Sequence, residues 1–191
     1  MNRNIWLAAG AVVLIAIGGF AYWQTKGRSD SMSTPVAATA EAVAPRRESD
    51  DMVMGLANAP VTLIEYASLT CPHCAHFQEA TFPQFKQRYV DTGLVKYIYR
   101  DFPLDRVALY GSMLARCTGA PDKFFAFVDV LFRQQSAWIQ GTDEATIINN
   151  LKRLARLGGV GDAQADACLR DQNIQTAVLV QADQGSKQFK V

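Results

Sequence analysis

Two cysteines separated by two residues form the most reactive group in this sequence of 191 residues. They belong to the tetrapeptide Cys71-Pro72-His73-Cys74, in which the proline suits the first turn of a helix. Unpaired N–H groups at a helix N-terminus stabilise a thiolate, and His73 can add positive charge or a hydrogen bond. The spacing also lets the pair close and reopen a small-loop disulfide. The motif therefore predicts thiol–disulfide exchange, with Cys71 as the more acidic thiol.

Two other kinds of site also use a pair of cysteines at this spacing. A c-type haem site requires histidine directly after the second cysteine, and the residue there is Ala75, so we exclude it. A metal-binding or metal-delivery site would recruit Cys71, Cys74 and His76, but the remaining two cysteines form no second close pair. Redox catalysis is favoured without a cofactor or a resident metal, and metal delivery stays open as the alternative.

The other two cysteines, Cys117 and Cys168, each fall on the apolar stripe of a predicted helix. In an oxidising compartment they would form a disulfide if their Cα atoms approach within about 7 Å. Such a bridge would close a loop of roughly 50 residues and contribute about 4 kcal/mol to stability in the chain-entropy model. Otherwise they are two small buried hydrophobic side chains. We expect the structural disulfide and keep the two unpaired cysteines as the alternative.

The segments around the reactive pair predict a mixed α/β fold. Residues 61–68 are β-branched and largely apolar and predict a buried strand, and residues 95–102 predict a second strand. A helix that begins at the cysteine pair lies between them, so we expect a βαβ unit with parallel strands. Apolar residues then recur at helical spacing through roughly 80 residues. These predict a helical region over about residues 105–188.

The N-terminal residues predict a membrane anchor followed by a tether. Residues 5–23 carry no charge and would span about 28 Å as a helix, close to the roughly 30 Å of a bilayer core. A small-x-small cleavage site, Ala38-Thr39-Ala40, lies far behind this run, which favours an uncleaved signal anchor over residues 1–23. Residues 24–51 are polar and lack a core-forming pattern, so we expect a flexible linker and a folded domain over residues 52–191.

The charge of the chain excludes one class of function. Lys and Arg total 19 and Asp and Glu total 18, which gives a formal net charge of +1. A nucleic-acid-binding protein needs a basic surface to neutralise phosphates. We therefore expect no nucleic-acid partner.

A known family shares these features. The run APVTLIEYASLTCPHCAHF, followed by YRDFPLD, resembles the DsbA-like branch of the thioredoxin superfamily over about residues 52–191. These are periplasmic thiol:disulfide oxidases with a helical domain inserted into a thioredoxin fold. The resemblance implies that Cys71 is the nucleophile, Cys74 the resolving cysteine, and Pro72-His73 the dipeptide that tunes the reduction potential. It also implies that Glu65 assists proton transfer at Cys74, although an outward-facing strand residue is an equal interpretation.

The resemblance further implies a function, partners and a location. The expected activity is donation of a disulfide to unfolded or newly exported proteins, with a disulfide isomerase or reductase as the near alternative. Reoxidation would come from a DsbB-like, quinone-linked membrane partner. An oxidising compartment places the domain on the periplasmic side of the bacterial inner membrane. If the signal is cleaved, the alternative is a soluble periplasmic protein.

The C-terminal part departs from the family pattern. Members of the family have a cis-proline loop facing the active cysteines, then a β-hairpin and a last helix, but no proline follows Pro121 in this sequence. We therefore expect the C-terminal strands and helix to be missing. On that basis the chain as written is expected to fold with marginal stability and to oxidise substrates poorly.

Overall fold

The computed structural model describes residues 50–191, which contain a three-stranded sheet with the order β1-β3-β2. The strands are β1 (Met52–Met54), β2 (Val61–Ala67) and β3 (Val95–Asp101). β2 runs parallel to β3, with Val61 opposite Val95 and Ala67 opposite Asp101. The predicted parallel pair is thus confirmed. β1 is antiparallel to β3 and was not predicted from the sequence.

The prediction that residues 61–68 form a buried strand is wrong for the N-terminal half of β2. Val61 is 54% exposed and Ile64 is 36% exposed, whereas β3 is buried along nearly its whole length. The difference follows from position in the sheet, because β3 has a neighbour on each side and β2 pairs only with β3 among residues 50–191. An apolar run alone does not show whether its strand will be central or at an edge.

The helix that carries the reactive cysteines extends continuously from residue 72 to residue 90. It consists of α1 (Pro72–His76), a π-helical segment (Phe77–Thr81), α2 (Phe82–Phe85) and a second π-helical segment (Lys86–Val90). Pro83 has no N–H to donate, and the two π-helical segments, whose turns are wider than those of an α-helix, lie on either side of it. In the first of them the Phe82 N–H bonds to the Phe77 carbonyl, five residues back.

Every element after β3 in the described chain is helical, as the sequence predicts. The elements are α3 (Arg106–Arg116), α4 (Pro121–Arg133), α5 (Gln135–Trp138), α6 (Glu144–Leu157), α7 (Asp162–Leu169), α8 (Gln172–Gln184) and a π-helical segment (Gly185–Phe189). Aspartate side chains cap the starts of α3, α6 and α8. Asp105 accepts a hydrogen bond from the Ala108 N–H, and Asp143 accepts one from the Thr146 N–H, each at 2.7 Å.

The core lies between the sheet and the helical region. Tyr97 and Tyr99 project from β3 and are fully buried, and the Tyr99 ring meets Phe124 of α4 edge-on at 5.5 Å. Trp138 of α5 is also buried and donates its indole N–H to the Leu131 carbonyl at 2.7 Å. Burial of these aromatic side chains fixes the helices against the strand that neighbours the reactive loop.

A buried polar network ties α3 and α8 to the end of β3. Arg116 pairs with Asp101 at 2.6 Å and donates to the Gln181 side chain at 2.7 Å. The same Gln181 oxygen accepts the Asp101 backbone N–H at 3.0 Å. Arg100 pairs with Asp51 at 3.0 Å, so one residue of the predicted linker is held against β3. Paired in this way, the buried charges fix the position of the helical region.

The predicted anchor at residues 1–23 and most of the predicted linker lie outside the described residues. Between residues 50 and 191, none of the helices combines the length and apolar character needed to cross a bilayer. The same residues contain no cis peptide bond.

Candidate active site

Cys71 and Cys74 lie where the carboxyl end of β2 passes into the helix that starts at residue 72. Cys71 precedes the first helical residue and has extended backbone angles, with φ of −77° and ψ of 119°. Pro72 occupies the first position of α1, as its residue type predicts. Both cysteines are free thiols in this structure, which therefore represents the reduced state of this pair.

The pKa of the Cys71 thiol is lowered. Burial raises it, but hydrogen bonds from the Cys74 N–H, the Cys74 thiol and the His73 N–H together outweigh that effect. The His73 side chain is exposed, and His73 stabilises the Cys71 thiolate through its backbone N–H. Cys71 is therefore the thiol that ionises first.

The pKa of Cys74 shifts in the opposite direction. Burial raises it to about 12, and the hydrogen bond and negative charge of Cys71 and the charge of Glu65 add to the increase. A hydrogen bond from the Ser68 backbone lowers it only in part. Cys74 is therefore expected to hold its proton at neutral pH while Cys71 reacts.

This asymmetry predicts selective alkylation of the reduced protein. At pH 7, iodoacetamide should modify Cys71 at least about tenfold faster than Cys74, because only the thiolate is nucleophilic. Mass mapping after a short exposure measures the ratio. Equal labelling of the two residues would contradict the assignment of Cys71 as the acidic thiol.

Glu65 projects from β2 into a buried hydrogen-bonded cluster with Tyr97 and Gln78. The Tyr97 hydroxyl donates to a Glu65 carboxyl oxygen, and the Gln78 amide donates to the same oxygen at 2.9 Å and to the Tyr97 hydroxyl at 3.2 Å. Burial raises the pKa of Glu65 although both hydrogen bonds lower it. The side chain of Glu65 therefore does not face outward, which was one of the two interpretations of this residue from the sequence.

Gln78 and Tyr97 also form part of the wall of a cavity of about 720 Å³ between the 72–90 helix, β1 and α4. The remaining wall is mostly apolar and includes Met54, Phe82 and Phe125. No motif in the sequence marks Tyr97 or Gln78 as members of the site. The Tyr97 hydroxyl reaches Glu65 because β3 lies beside β2, and the Gln78 amide reaches it from the 72–90 helix.

The loop before Cys71 is held by hydrogen bonds from residues distant in the sequence. The Thr70 hydroxyl donates to Asp105 at 2.6 Å, and the Leu104 N–H donates to the Ser68 hydroxyl at 3.3 Å. Gln135 donates its amide N–H groups to the carbonyls of residues 69 and 71, at 2.9 and 3.0 Å. Such partners carry no sequence motif, and only the folded chain brings them to the loop.

The other cysteine pair forms a disulfide in the structure. Cys117 follows the last residue of α3 and Cys168 lies in α7, with their Cα atoms 6.3 Å apart. The Gln164 side chain also donates to the Cys117 carbonyl at 3.1 Å. This bridge joins two helices of the helical region and does not contribute to the active site.

His76, the third ligand of the metal-delivery alternative, is exposed on α1. Within the described part of the chain, no three side chains of His, Cys, Asp or Glu converge as a metal site would require. No observation in residues 50–191 therefore favours the metal-delivery alternative.

Known proteins match this chain across most of the described residues. The family model described as Thioredoxin matches residues 47–191. The crystal structure of Wolbachia pipientis alpha-DsbA1 is 30% identical, with a TM-score of 0.70 over 76% of this chain and 72% of that chain. Oxidised BdbD from Bacillus subtilis is 22% identical, with a TM-score of 0.64 over 75% and 78% of the two chains, and supports the fold.

A curated relative from Rickettsia bellii is provisionally named a protein-disulfide oxidoreductase. It is 33% identical over 132 residues, which cover 69% of this chain and 50% of that protein. The chain spans about half the length of the curated relatives that it matches.

The paired strands, the crossover helix and the two thiols at its start are those of the thioredoxin superfamily, in agreement with the matching family model. More specifically, the chain belongs to the DsbA-like branch of that superfamily. The resemblance stated from the sequence is therefore confirmed, as is the thioredoxin-like α/β fold with a helical insertion.

Proposed function

We propose that this protein is a thiol:disulfide oxidase that donates its Cys71–Cys74 disulfide to proteins with reduced cysteines. The observation that carries the proposal is the opposite shift of the two pKa values, lowered at Cys71 and raised to about 12 at Cys74. Stabilising the Cys71 thiolate stabilises the reduced protein, and this makes the disulfide form a stronger oxidant. Transfer of the disulfide to a substrate is then the favoured direction.

The proposed reaction has two exchange steps. A substrate thiolate attacks the Cys71 sulfur, which breaks the bond to Cys74 and forms a mixed disulfide between substrate and Cys71. Cys74 leaves with the bonding electrons and takes up a proton. The second substrate thiolate then attacks the substrate sulfur of the mixed disulfide and releases the Cys71 thiolate. Two electrons pass from the substrate dithiol to the cysteine pair, and the substrate gains the disulfide.

Glu65 is proposed to supply the proton that Cys74 takes up. Its raised pKa means that more of it is protonated near neutral pH than of an ordinary glutamate. Its negative charge contributes to the raised pKa of Cys74. The cavity lined by Gln78 and Tyr97 offers water a route by which the carboxyl group would be protonated again.

Glu65→Gln is expected to slow oxidation of a dithiol peptide about tenfold, since the amide cannot exchange a proton with Cys74. It should also remove the part of the pH–rate profile that depends on the carboxyl group. The exposed Glu79, in the same helix as the cysteine pair, provides the matched control Glu79→Gln. Equal rates for both variants and the unmodified protein would exclude Glu65 from proton transfer.

The expected substrates are unfolded or newly exported proteins, because such chains present accessible reduced cysteines. The location proposed for the domain is the periplasmic side of a bacterial inner membrane, an oxidising compartment in which the Cys117–Cys168 bridge would also persist. Each turnover leaves the cysteine pair reduced, so the cycle needs an electron acceptor. We assign that role to a quinone-linked membrane oxidase of the DsbB type.

Anaerobic mixing of the oxidised chain with a reduced two-cysteine peptide tests the proposal. We expect one peptide disulfide to form for each Cys71–Cys74 disulfide consumed, measured by mass after acid quenching and alkylation. The reverse mixture, reduced chain with oxidised peptide, should react little. Net reduction of the peptide would instead identify a reductase. Faster rearrangement of a mispaired four-cysteine peptide than oxidation of the reduced one would identify an isomerase.

A further inference from the structure

Gln135, at the start of α5, connects the helical region to the reactive loop. Its side chain is buried, with 8% of the residue exposed. The amide nitrogen donates to the Leu69 carbonyl at 2.9 Å and to the Cys71 carbonyl at 3.0 Å. One side chain thus holds the carbonyl two residues before the nucleophile and the carbonyl of the nucleophile itself.

These two hydrogen bonds fix the backbone at the point where the helix begins. The Cys71 carbonyl also accepts the Ala75 N–H at 3.1 Å, which is the first hydrogen bond of α1. Leu69 is fully buried, so the peptide before Cys71 is held by packing as well. The extended backbone at Cys71 determines where its sulfur lies relative to the N–H groups of the first helical turn.

The helix that carries Gln135 is itself firmly held. Trp138, one turn later, is buried and bonded to the Leu131 carbonyl. Asn150 of α6 donates to the Gln140 carbonyl at 3.0 Å and so fixes the chain that leaves α5. The amide of Gln135 is therefore presented to the loop from a rigid support.

We propose that Gln135 is a positioning residue for disulfide exchange, which orients Cys71 so that the N–H groups of residues 73 and 74 face its sulfur. This inference rests on the proposed oxidase function and assigns part of that function to the helical region. A glutamine suits the position because one amide nitrogen offers two N–H groups without adding charge. A glutamate of the same size offers no donor when ionised and would place negative charge near a thiolate.

Gln135→Leu and Gln135→Glu test the proposal in the full chain. The leucine variant keeps similar volume without donors, and we expect alkylation of Cys71 at pH 6 to slow by about two- to fivefold, the effect of about one lost hydrogen bond. The glutamate variant should slow it further, because repulsion of the thiolate is added. The equilibrium with glutathione should shift in the same order, towards a weaker oxidant.

The adjacent Gln134 is exposed, so Gln134→Leu and Gln134→Glu are matched controls that should retain the alkylation profile of the unmodified protein. Thermal unfolding of each variant separates loss of fold from loss of positioning. If neither Gln135 variant folds, amide NMR of the unmodified protein remains decisive. The Gln135 side-chain protons should exchange with water more slowly than those of Gln134, and equal exchange would overturn the inference.

The two proposals fail in different ways. If the unmodified protein shows an ordinary thiol pKa at Cys71 and transfers no disulfide, the oxidase function fails. If it has an acidic Cys71 and oxidises peptides, but folded Gln135 variants keep its alkylation profile and glutathione equilibrium, only the positioning role fails.

Discussion

Cys74→Ser is expected to form a lasting mixed disulfide with its substrate through Cys71, whereas Cys71→Ser should form little mixed disulfide. The first variant keeps the thiol whose pKa is lowered and removes its partner. A mixed disulfide formed at Cys71 then cannot be resolved by the protein itself. The second variant keeps only Cys74, whose pKa burial raises, so little thiolate exists at neutral pH to react.

Mixing each variant with an excess of the intermolecular disulfide of a one-cysteine peptide measures this difference, because the peptide thiol released by the attack diffuses away and does not reverse the adduct. Non-reducing mass spectrometry should show the peptide attached to Cys71 in Cys74→Ser and little adduct in Cys71→Ser. The control is the unmodified reduced protein, in which Cys74 resolves any adduct. Comparable adducts in both variants would show that the two cysteines are equivalent and would contradict the assigned roles.

Removal of the second disulfide is expected to have the largest effect on stability. Cys117 and Cys168 are 51 residues apart in the sequence, and closing a loop of this length contributes about 4 kcal/mol in the chain-entropy model. Both positions pack against the core, so Cys117→Ala with Cys168→Ala also loses a little apolar contact. The free energy of unfolding without reductant should therefore fall by about 4 kcal/mol.

Urea unfolding of the unmodified protein and the double variant, with and without reductant, isolates this contribution. With reductant the bridge opens in the unmodified protein and its stability should approach that of the variant. Alkylation under denaturing, non-reducing conditions should find two fewer free thiols than the sequence contains when Cys71 and Cys74 are reduced. A stability difference below about 1 kcal/mol without reductant would show that the bridge constrains the chain little.

Much of the fold could be predicted from residue patterns that reflect local structure. The runs at β2 and β3 are rich in β-branched and aromatic residues, and their order predicted a parallel pair that is observed. β1 is only three residues long and too short to show a pattern. The exposure of β2 depends on its place in the sheet, which is set by contacts between distant segments.

The active site was predictable where its chemistry is local in the sequence. The spacing of Cys71 and Cys74 and the proline between them predicted a helix start and an acidic first thiol. The helix starts there, and hydrogen bonds from residues 73 and 74 lower the pKa of Cys71. Gln135 lies 64 residues after Cys71 and is one polar residue among several in its segment. Its role depends on three-dimensional contact, as do the contacts of Tyr97 and Gln78 with Glu65.

The reduction potential of the Cys71–Cys74 pair tests the proposed oxidase most directly. Equilibration of a metal-free sample against glutathione, with both redox states measured by alkylation and mass, gives the value. The proposed oxidase function predicts a potential more positive than the about −270 mV of thioredoxin, and the lowered pKa of Cys71 shifts the potential in that direction. A value equal to or below that of thioredoxin would contradict the account and indicate a reductase.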